Sequence, residues 1–218
     1  MHRDETCRLI REIGIVPAVC VSSSDDAHFA AEAIARAGIP IVEITMTVPG
    51  AMEVIAQLAR DYPNVAVGAG TVLTPDVARQ CAAAGASFLT APGFDPQIVE
   101  AAAEANVAAI PGALTPTEVV AAWRAGADYV KVFPCAPVGG DHYIRALKRS
   151  LPQIPLIAAG GVNQKTATDF LLAGASAIGV GAELIPTEAI EQHRPERIRE
   201  LARRFLGFVK EARERVHA

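Results

Sequence analysis

Of the four lysines in this chain, Lys131, Lys148, Lys165 and Lys210, only Lys131 stands in an unbroken apolar run, Tyr129-Val130-Lys131-Val132-Phe133. A strand alternates its side chains, so Tyr129, Lys131 and Phe133 share one face and Val130 and Val132 the other. Apolar surroundings disfavour a charged ammonium, and a free amine attacks carbonyl carbon to form a Schiff base. Glu43 is embedded in the same way, in Pro40-Ile41-Val42-Glu43-Ile44-Thr45. Schiff-base chemistry needs a proton shuttle that dehydrates the carbinolamine, forms the enamine and protonates the aldol oxygen, and a carboxyl group suits that role. Each residue also has a plainer reading. Lys131 would be a snorkelling or salt-bridged lysine at a strand end, and Glu43 half of a structural ion pair. Placement of both at strand ends favours the chemical reading of each.

Two glycine turns point to anion binding. Gly160-Gly161-Val162 and Gly179-Val180-Gly181 each sit at the end of an apolar run. Glycine lets main-chain N–H groups approach an anion closely, and the last two strands of a (β/α)8 barrel commonly hold a phosphate there. Metal chemistry has no such support: His2, His28, His142, His193 and His217 are scattered, without HxH, HExxH or a carboxylate cluster at ligand spacing. No metal is expected. Ser22-Ser23-Ser24 lacks the partners of an acyl-transfer nucleophile and reads as a cap for a helix starting at Asp25 or Asp26. Trp123 reads as packing.

The elements that must hold these groups recur with a fixed rhythm. Strands are expected at Ile15–Cys20, Ile41–Thr45, Val65–Ala69, Phe88–Ala91, Ala108–Pro111, Tyr129–Phe133, Leu156–Ala159 and Ala177–Val180, alternating with segments of helical period. The helices end in Ala37-Gly38, Ala84-Gly85, Ala125-Gly126 and Ala173-Gly174, where glycine supplies the left-handed stop. Thr74-Pro75 and Thr115-Pro116 mark helix starts. Eight such units close best into a (β/α)8 TIM barrel, an α/β fold, here a single domain over residues 1–218 with an N-terminal helix. Its reactive groups belong at the strands' C-terminal ends. An open doubly wound sheet usually carries GxGxxG after its first strand, where this chain has three serines. From Arg194 onward, Ile198, Leu201, Phe205, Phe208 or Val209, Ala212 and Val216 recur at helical spacing, an amphipathic C-terminal helix expected to pack outside the barrel.

Composition narrows the partners. The 218 residues are 51% apolar and 20% charged, with a net charge of −4. That balance, with no Lys/Arg block, argues against nucleic acid. Gly and Pro break every stretch that might span a bilayer, so no membrane partner is expected. The apolar segment Ile13 to Val21 is preceded by Asp4, Glu5 and Glu12 and reads as a strand rather than a signal peptide, consistent with a cytoplasmic location. Cys7, Cys20, Cys81 and Cys135 lack CxxC spacing and read as buried thiols of a reducing compartment.

Taken in order, Val42-Glu43-Ile44-Thr45, Gly68-Ala69-Gly70-Thr71-Val72, Ala91-Pro92-Gly93, Ile110-Pro111-Gly112, Val130-Lys131-Val132-Phe133-Pro134 and Gly160-Gly161-Val162 form a specific set. This set resembles the bacterial 2-keto-3-deoxy-6-phosphogluconate (KDPG) aldolases, which often also act on 4-hydroxy-2-oxoglutarate (KHG). The resemblance runs from Ile15 to Ile185. It implies a class I aldolase of carbohydrate metabolism, in the Entner–Doudoroff sequence, that cleaves a small 2-oxo-4-hydroxy acid to pyruvate and an aldehyde without a cofactor. It also implies a homotrimer. Lys131 would form the imine, Glu43 move protons, Thr71 and the Pro92 turn shape the pyruvate site, and Phe133 pack beside the imine. Amides at Gly160, Gly161 and Gly181 would hold the phosphate.

Departures from the family pattern bear on substrate choice. Thr47 and Cys20 stand where members carry an arginine for the substrate carboxylate, and a threonine hydroxyl does not replace a bidentate guanidinium. Ala159 and Ala182 stand where a threonine and a serine are common, and Glu183 adds a negative charge, so a weakened preference for phosphorylated substrate is expected. Two other readings stay open: an isomerase or epimerase using Glu43 as base without covalent catalysis, and a degenerate trimeric scaffold.

Overall fold

The computed structural model describes residues 1–217; Ala218, the end of the expected domain, lies outside them. In chain order the elements are α1 (Arg3–Ile13), β1 (Ile15–Val19), α2 (Ser24–Arg36), β2 (Ile41–Thr45), α3 (Ala51–Asp61), β3 (Ala66–Gly70), α4 (Pro75–Ala83), β4 (Phe88–Thr90), α5 (Pro96–Glu104) and β5 (Ala108–Ile110). There follow β6 (Gly112–Ala113), α6 (Pro116–Arg124), β7 (Val130–Val132), α7 (Gly140–Ser150), β8 (Leu156–Ala159), α8 (Ala167–Leu172), β9 (Ala177–Val180), α9 (Thr187–Glu191) and α10 (Pro195–His217).

All strand pairings are parallel, in the order β5-β4-β3-β2-β1-β9-β8-β7-β6. Only Pro111 separates β5 from β6, so the two ends of that order are halves of one strand position and the sheet closes as a (β/α)8 barrel. This corrects the single fifth strand expected over Ala108–Pro111. Proline has no N–H for the ladder, so β5 pairs with β4, the ladder stops, and β6 resumes it against β7.

Caps set the helices at the intended places. Ser23 Oγ accepts from Asp26 N at 3.1 Å, and Thr115 and Glu118 form a reciprocal capping box at the start of α6. Gly38, Gly85, Gly126 and Gly174, at the Ala-Gly stops, have φ of 98°, 106°, 98° and 103°.

The N-terminal end of the barrel is sealed. α1 packs on β5 and β9, Tyr129 Oη donates to the Cys7 carbonyl at 2.8 Å, and Asp128 accepts from Arg3 Nε and Ala109 N, each at 2.9 Å. Higher in the lumen, the Phe88 ring fills the space left by Gly68, where a Cβ would come within 2.2 Å of it. α10 lies outside, against α8 and α2, burying Ile198, Leu201, Phe205, Val209 and Ala212; of the pair Phe208 and Val209 it is Val209 that is buried, and Val216, expected on the same stripe, is instead exposed. Among the described residues no helix is long and apolar enough to cross a membrane.

Two packing expectations need correction. All four cysteines are free, but only Cys81 and Cys135 are buried; Cys7 is half-buried and Cys20, just past the end of β1, is exposed. Burial pushes the Cys135 thiol up to about 12 and that of Cys81 to about 11. Trp123 lies on the outer face of α6 and is 37% exposed, so it does not serve the core.

Candidate active site

A cavity of about 320 Å³ opens at the C-terminal ends of the strands, within the size range of small-molecule sites. Strand alternation brings Val16, Glu43, Thr90, Lys131, Ile157 and Gly179 to its wall, from six different strands.

Glu43 and Lys131 come together as their embedding in apolar runs suggested. Lys131 Nζ lies 3.9 Å from Glu43 Oε1, with the side chains 15% and 5% exposed. The ammonium also sits 5.2 Å from the centre of the Phe133 ring. At that separation the two groups attract without a direct hydrogen bond, so neither is locked to the other. The Glu43 carboxylate rests over Gly70, where a Cβ would stand 2.1 Å from Oε1. The glycine in Gly68-Ala69-Gly70 is therefore what admits the acid to the lumen.

The turns after β8 and β9 form another wall, built from backbone. Gly160 and Gly161 have φ of 80° and 90°, the left-handed region that favours glycine. Space demands glycine as well: a Cβ at 160 would be 2.9 Å from Pro134 Cα, and one at 161 would be 2.2 Å from Ala136 Cβ. Gly160, Gly161 and Gly181 all line the cavity, together with Ala182 and Glu183 at its exposed rim. The carboxylate of Glu183 thus belongs to the same rim as the glycine turns.

Three positions singled out in the sequence stand outside the cavity wall. Thr71, directly after β3, is half-buried and holds φ of 58°, an uncommon conformation for a residue with a Cβ. Pro92 lies in the turn after β4, and its carbonyl packs where a Cβ at Gly112 would come within 2.3 Å. Thr47 is exposed and shares hydrogen bonds with Thr45 Oγ1 at 2.7 Å and Cys20 Sγ at 3.4 Å. The two positions matched to the missing arginine are thus neighbours in a shallower depression that also includes Asp26 and His193. Among the described residues no group of three or more His, Cys, Asp or Glu side chains is placed to hold a metal ion.

Thr90 was not singled out from the sequence, yet it lines the cavity and is only 2% exposed. Its signal was the same as that of Glu43, a polar residue on the inward parity of an apolar strand. A family model described as KDPG and KHG aldolase matches residues 6–201.

The chain belongs to the KDPG and KHG aldolase family.

This aldolase is 32% identical over 197 residues to the KHG/KDPG aldolase of Escherichia coli, covering 90% of this chain and 92% of that one. A solved KDPG aldolase from Legionella pneumophila, with pyruvate captured at low pH as a covalent carbinolamine, is 30% identical with a TM-score of 0.84, covering 90% of this chain and 95% of that one. A protein cage designed by fusing symmetric oligomeric domains contains a chain 27% identical with a TM-score of 0.85, covering 94% of this aldolase and 75% of that chain. Membership makes the protein a lyase and sets aside the isomerase and scaffold readings.

Proposed function

We propose that this aldolase cleaves a 2-oxo-4-hydroxy acid through an imine on Lys131, yielding pyruvate and an aldehyde. The observation that carries the assignment of residues is the 3.9 Å approach of Lys131 Nζ to Glu43 Oε1 inside a mostly apolar cavity. Nζ adds to the C2 carbonyl, and Glu43 delivers a proton to the departing hydroxyl, so that water leaves and the imine forms. Glu43 then takes the proton of the 4-hydroxyl as the C3–C4 bond breaks. The bonding pair moves into the imine to give an enamine, and the aldehyde departs. Protonation at C3 and hydrolysis return pyruvate and the free lysine. Phe133 packs beside the imine, and the apolar wall keeps competing water away from the enamine.

The distal end of the substrate meets the glycine turns. Amides at Gly160, Gly161 and Gly181 suit a phosphate, as in KDPG, which would release glyceraldehyde 3-phosphate. They suit equally the second carboxylate of KHG, which would release glyoxylate. Ala159 and Ala182 offer no hydroxyl, and Glu183 stands on the same rim, so discrimination for the phosphorylated acid is weak. Thr71 and the Pro92 turn, which follow β3 and β4, shape the pyruvate site beyond the strand ends, whereas Thr47 belongs to the neighbouring depression with Cys20. The active form is a homotrimer, which sedimentation velocity would test, and free thiols at all four cysteines suit the cytoplasm.

The test of the mechanism is incubation with pyruvate and borohydride followed by mass measurement. A permanent adduct on Lys131 is expected, since reduction converts an imine into a stable C–N bond. Lys148→Ala should keep it, because Lys148 Nζ is occupied with the carbonyls of Pro152 and Ile154 at 2.7 and 2.8 Å. No mass gain on the native enzyme would refute the covalent route.

A further inference from the structure

Thr90 ends β4 and lines the cavity, and its Oγ1 is a buried oxygen with no hydrogen-bond partner among the described residues. Native interiors rarely leave such a group unpaired, and an exception calls for an explanation. Thr45, which ends β2, shows the ordinary outcome. It is also buried, but its hydroxyl donates to the Val19 carbonyl at 3.1 Å. Thr90 lines the same cavity as Lys131 and has no such acceptor among the described residues.

The barrel says which part of a substrate would come to it. The glycine turns follow the last two strand positions, and Lys131 stands on the sixth. β4, at the fourth position, faces β9 across the lumen. A 2-oxo acid bound at C2 to Lys131, with its distal anion at the glycine turns, must send its C1 carboxylate toward the opposite wall. There β3 offers Ala66, Gly68 and Gly70 on the inward parity, none with a polar side chain, and Thr71 beyond its end stands outside the cavity wall. β5 offers Ile110, which cannot donate. We propose that Thr90 is a substrate-binding residue whose hydroxyl donates a hydrogen bond to the C1 carboxylate of the 2-oxo acid. It supplies part of what an arginine at position 47 or 20 would supply. This rests on the aldolase reading above.

The experiment is borohydride trapping across a range of pyruvate concentrations with the native enzyme, Thr90→Val and Thr90→Ser, repeated with acetone, a carbonyl compound that lacks the carboxylate. Thr90→Val should raise the half-saturating pyruvate concentration roughly ten- to hundredfold, the ratio expected from losing a hydrogen bond to a charged group. Thr90→Ser should recover most of the loss, and trapping of acetone should be the same in all three. Because valine has the same shape and removes an unpaired polar atom, its melting temperature should match or exceed that of the native enzyme. Unchanged half-saturation by pyruvate in Thr90→Val, an equal loss with acetone, or a lowered melting temperature would each overturn the assignment. No adduct on the native enzyme would instead overturn the aldolase mechanism, and the role of Thr90 with it.

Discussion

One strand position carries two opposite designs at its two ends. At the closed end, Asp128 is held by Arg3 and the Ala109 amide, and the Tyr129 hydroxyl is bound to the first helix. At the open end, Lys131 stands 3.9 Å from Glu43 with no direct hydrogen bond, and the Thr90 hydroxyl of the same cavity has no hydrogen-bond partner among the described residues. A saturated polar group stabilises the fold, whereas an unsaturated one holds capacity for a ligand. The contrast within so few residues of chain shows how a barrel separates stability from chemistry along the axis of its strands.

The sharpest way to break that contrast is at Lys131. Lys131→Ala should bring both turnover and the pyruvate adduct to background, while far-UV circular dichroism keeps the signature of the native barrel. Glu43→Gln comes next. Pyruvate trapping should persist, with steady-state turnover falling by about 10²–10⁴, the range of acid–base catalysis, and near-normal turnover would return Glu43 to a structural role.

At the closed end the effects should appear in stability and leave the adduct untouched. Asp128→Ala strands the Ala109 amide and leaves Arg3 only its bond to the Gly126 carbonyl, so urea unfolding should show a loss of about 1–3 kcal/mol with the yield of pyruvate adduct unchanged. Tyr129→Phe removes one donor to the Cys7 carbonyl, and about 1 kcal/mol is expected. The smallest effect belongs to Cys7. Burial, aided by the Asp128 carboxylate, pushes its thiol from 9.0 up to about 12, so the folded state holds the proton more tightly than the unfolded chain. Its contribution is complete below pH 9 and is lost as pH rises toward 12. With allowance for partial exposure, the cost at pH 9.5 is less than about 1 kcal/mol, to be read by comparing urea midpoints of the native protein and Cys7→Ser at pH 8 and 9.5, since the raised Cys81 and Cys135 thiols act in the same direction in both.

Much of this contrast was legible in the order of residues. Apolar runs with Ala-Gly stops give the barrel because period and cap are local properties. Lys131 and Glu43 stood out because a charge inside an apolar strand is costly without a use. What the chain order hides is set by neighbours in space. Pro111 divides the fifth strand because β4 and β7 take separate halves of it. Thr71 and Thr47 miss the cavity wall because loop dihedrals and the Thr45–Thr47–Cys20 hydrogen bonds decide where they lie. Thr90 resembles Thr45 in sequence, and only the absence of an acceptor beside it separates the two. Cys20 is exposed because β1 ends one residue before it.

The position of α10 has a consequence for how the molecule is made. It lies against both α8 and α2, and β1 pairs with β9, so the first and last units of the chain meet at one junction. A ribosome delivers the N-terminal unit first, at about 5–20 residues per second, and β1 must wait for a partner made some seconds later. During that interval β1 has β2 on one side and an open edge on the other. Closure of the ring is therefore a late event that spans nearly the whole chain, and contacts of such long range are slow to form. A nascent chain stalled before residue 177 lacks β9 and should bind holdase chaperones through that edge, whereas the released full-length chain should not.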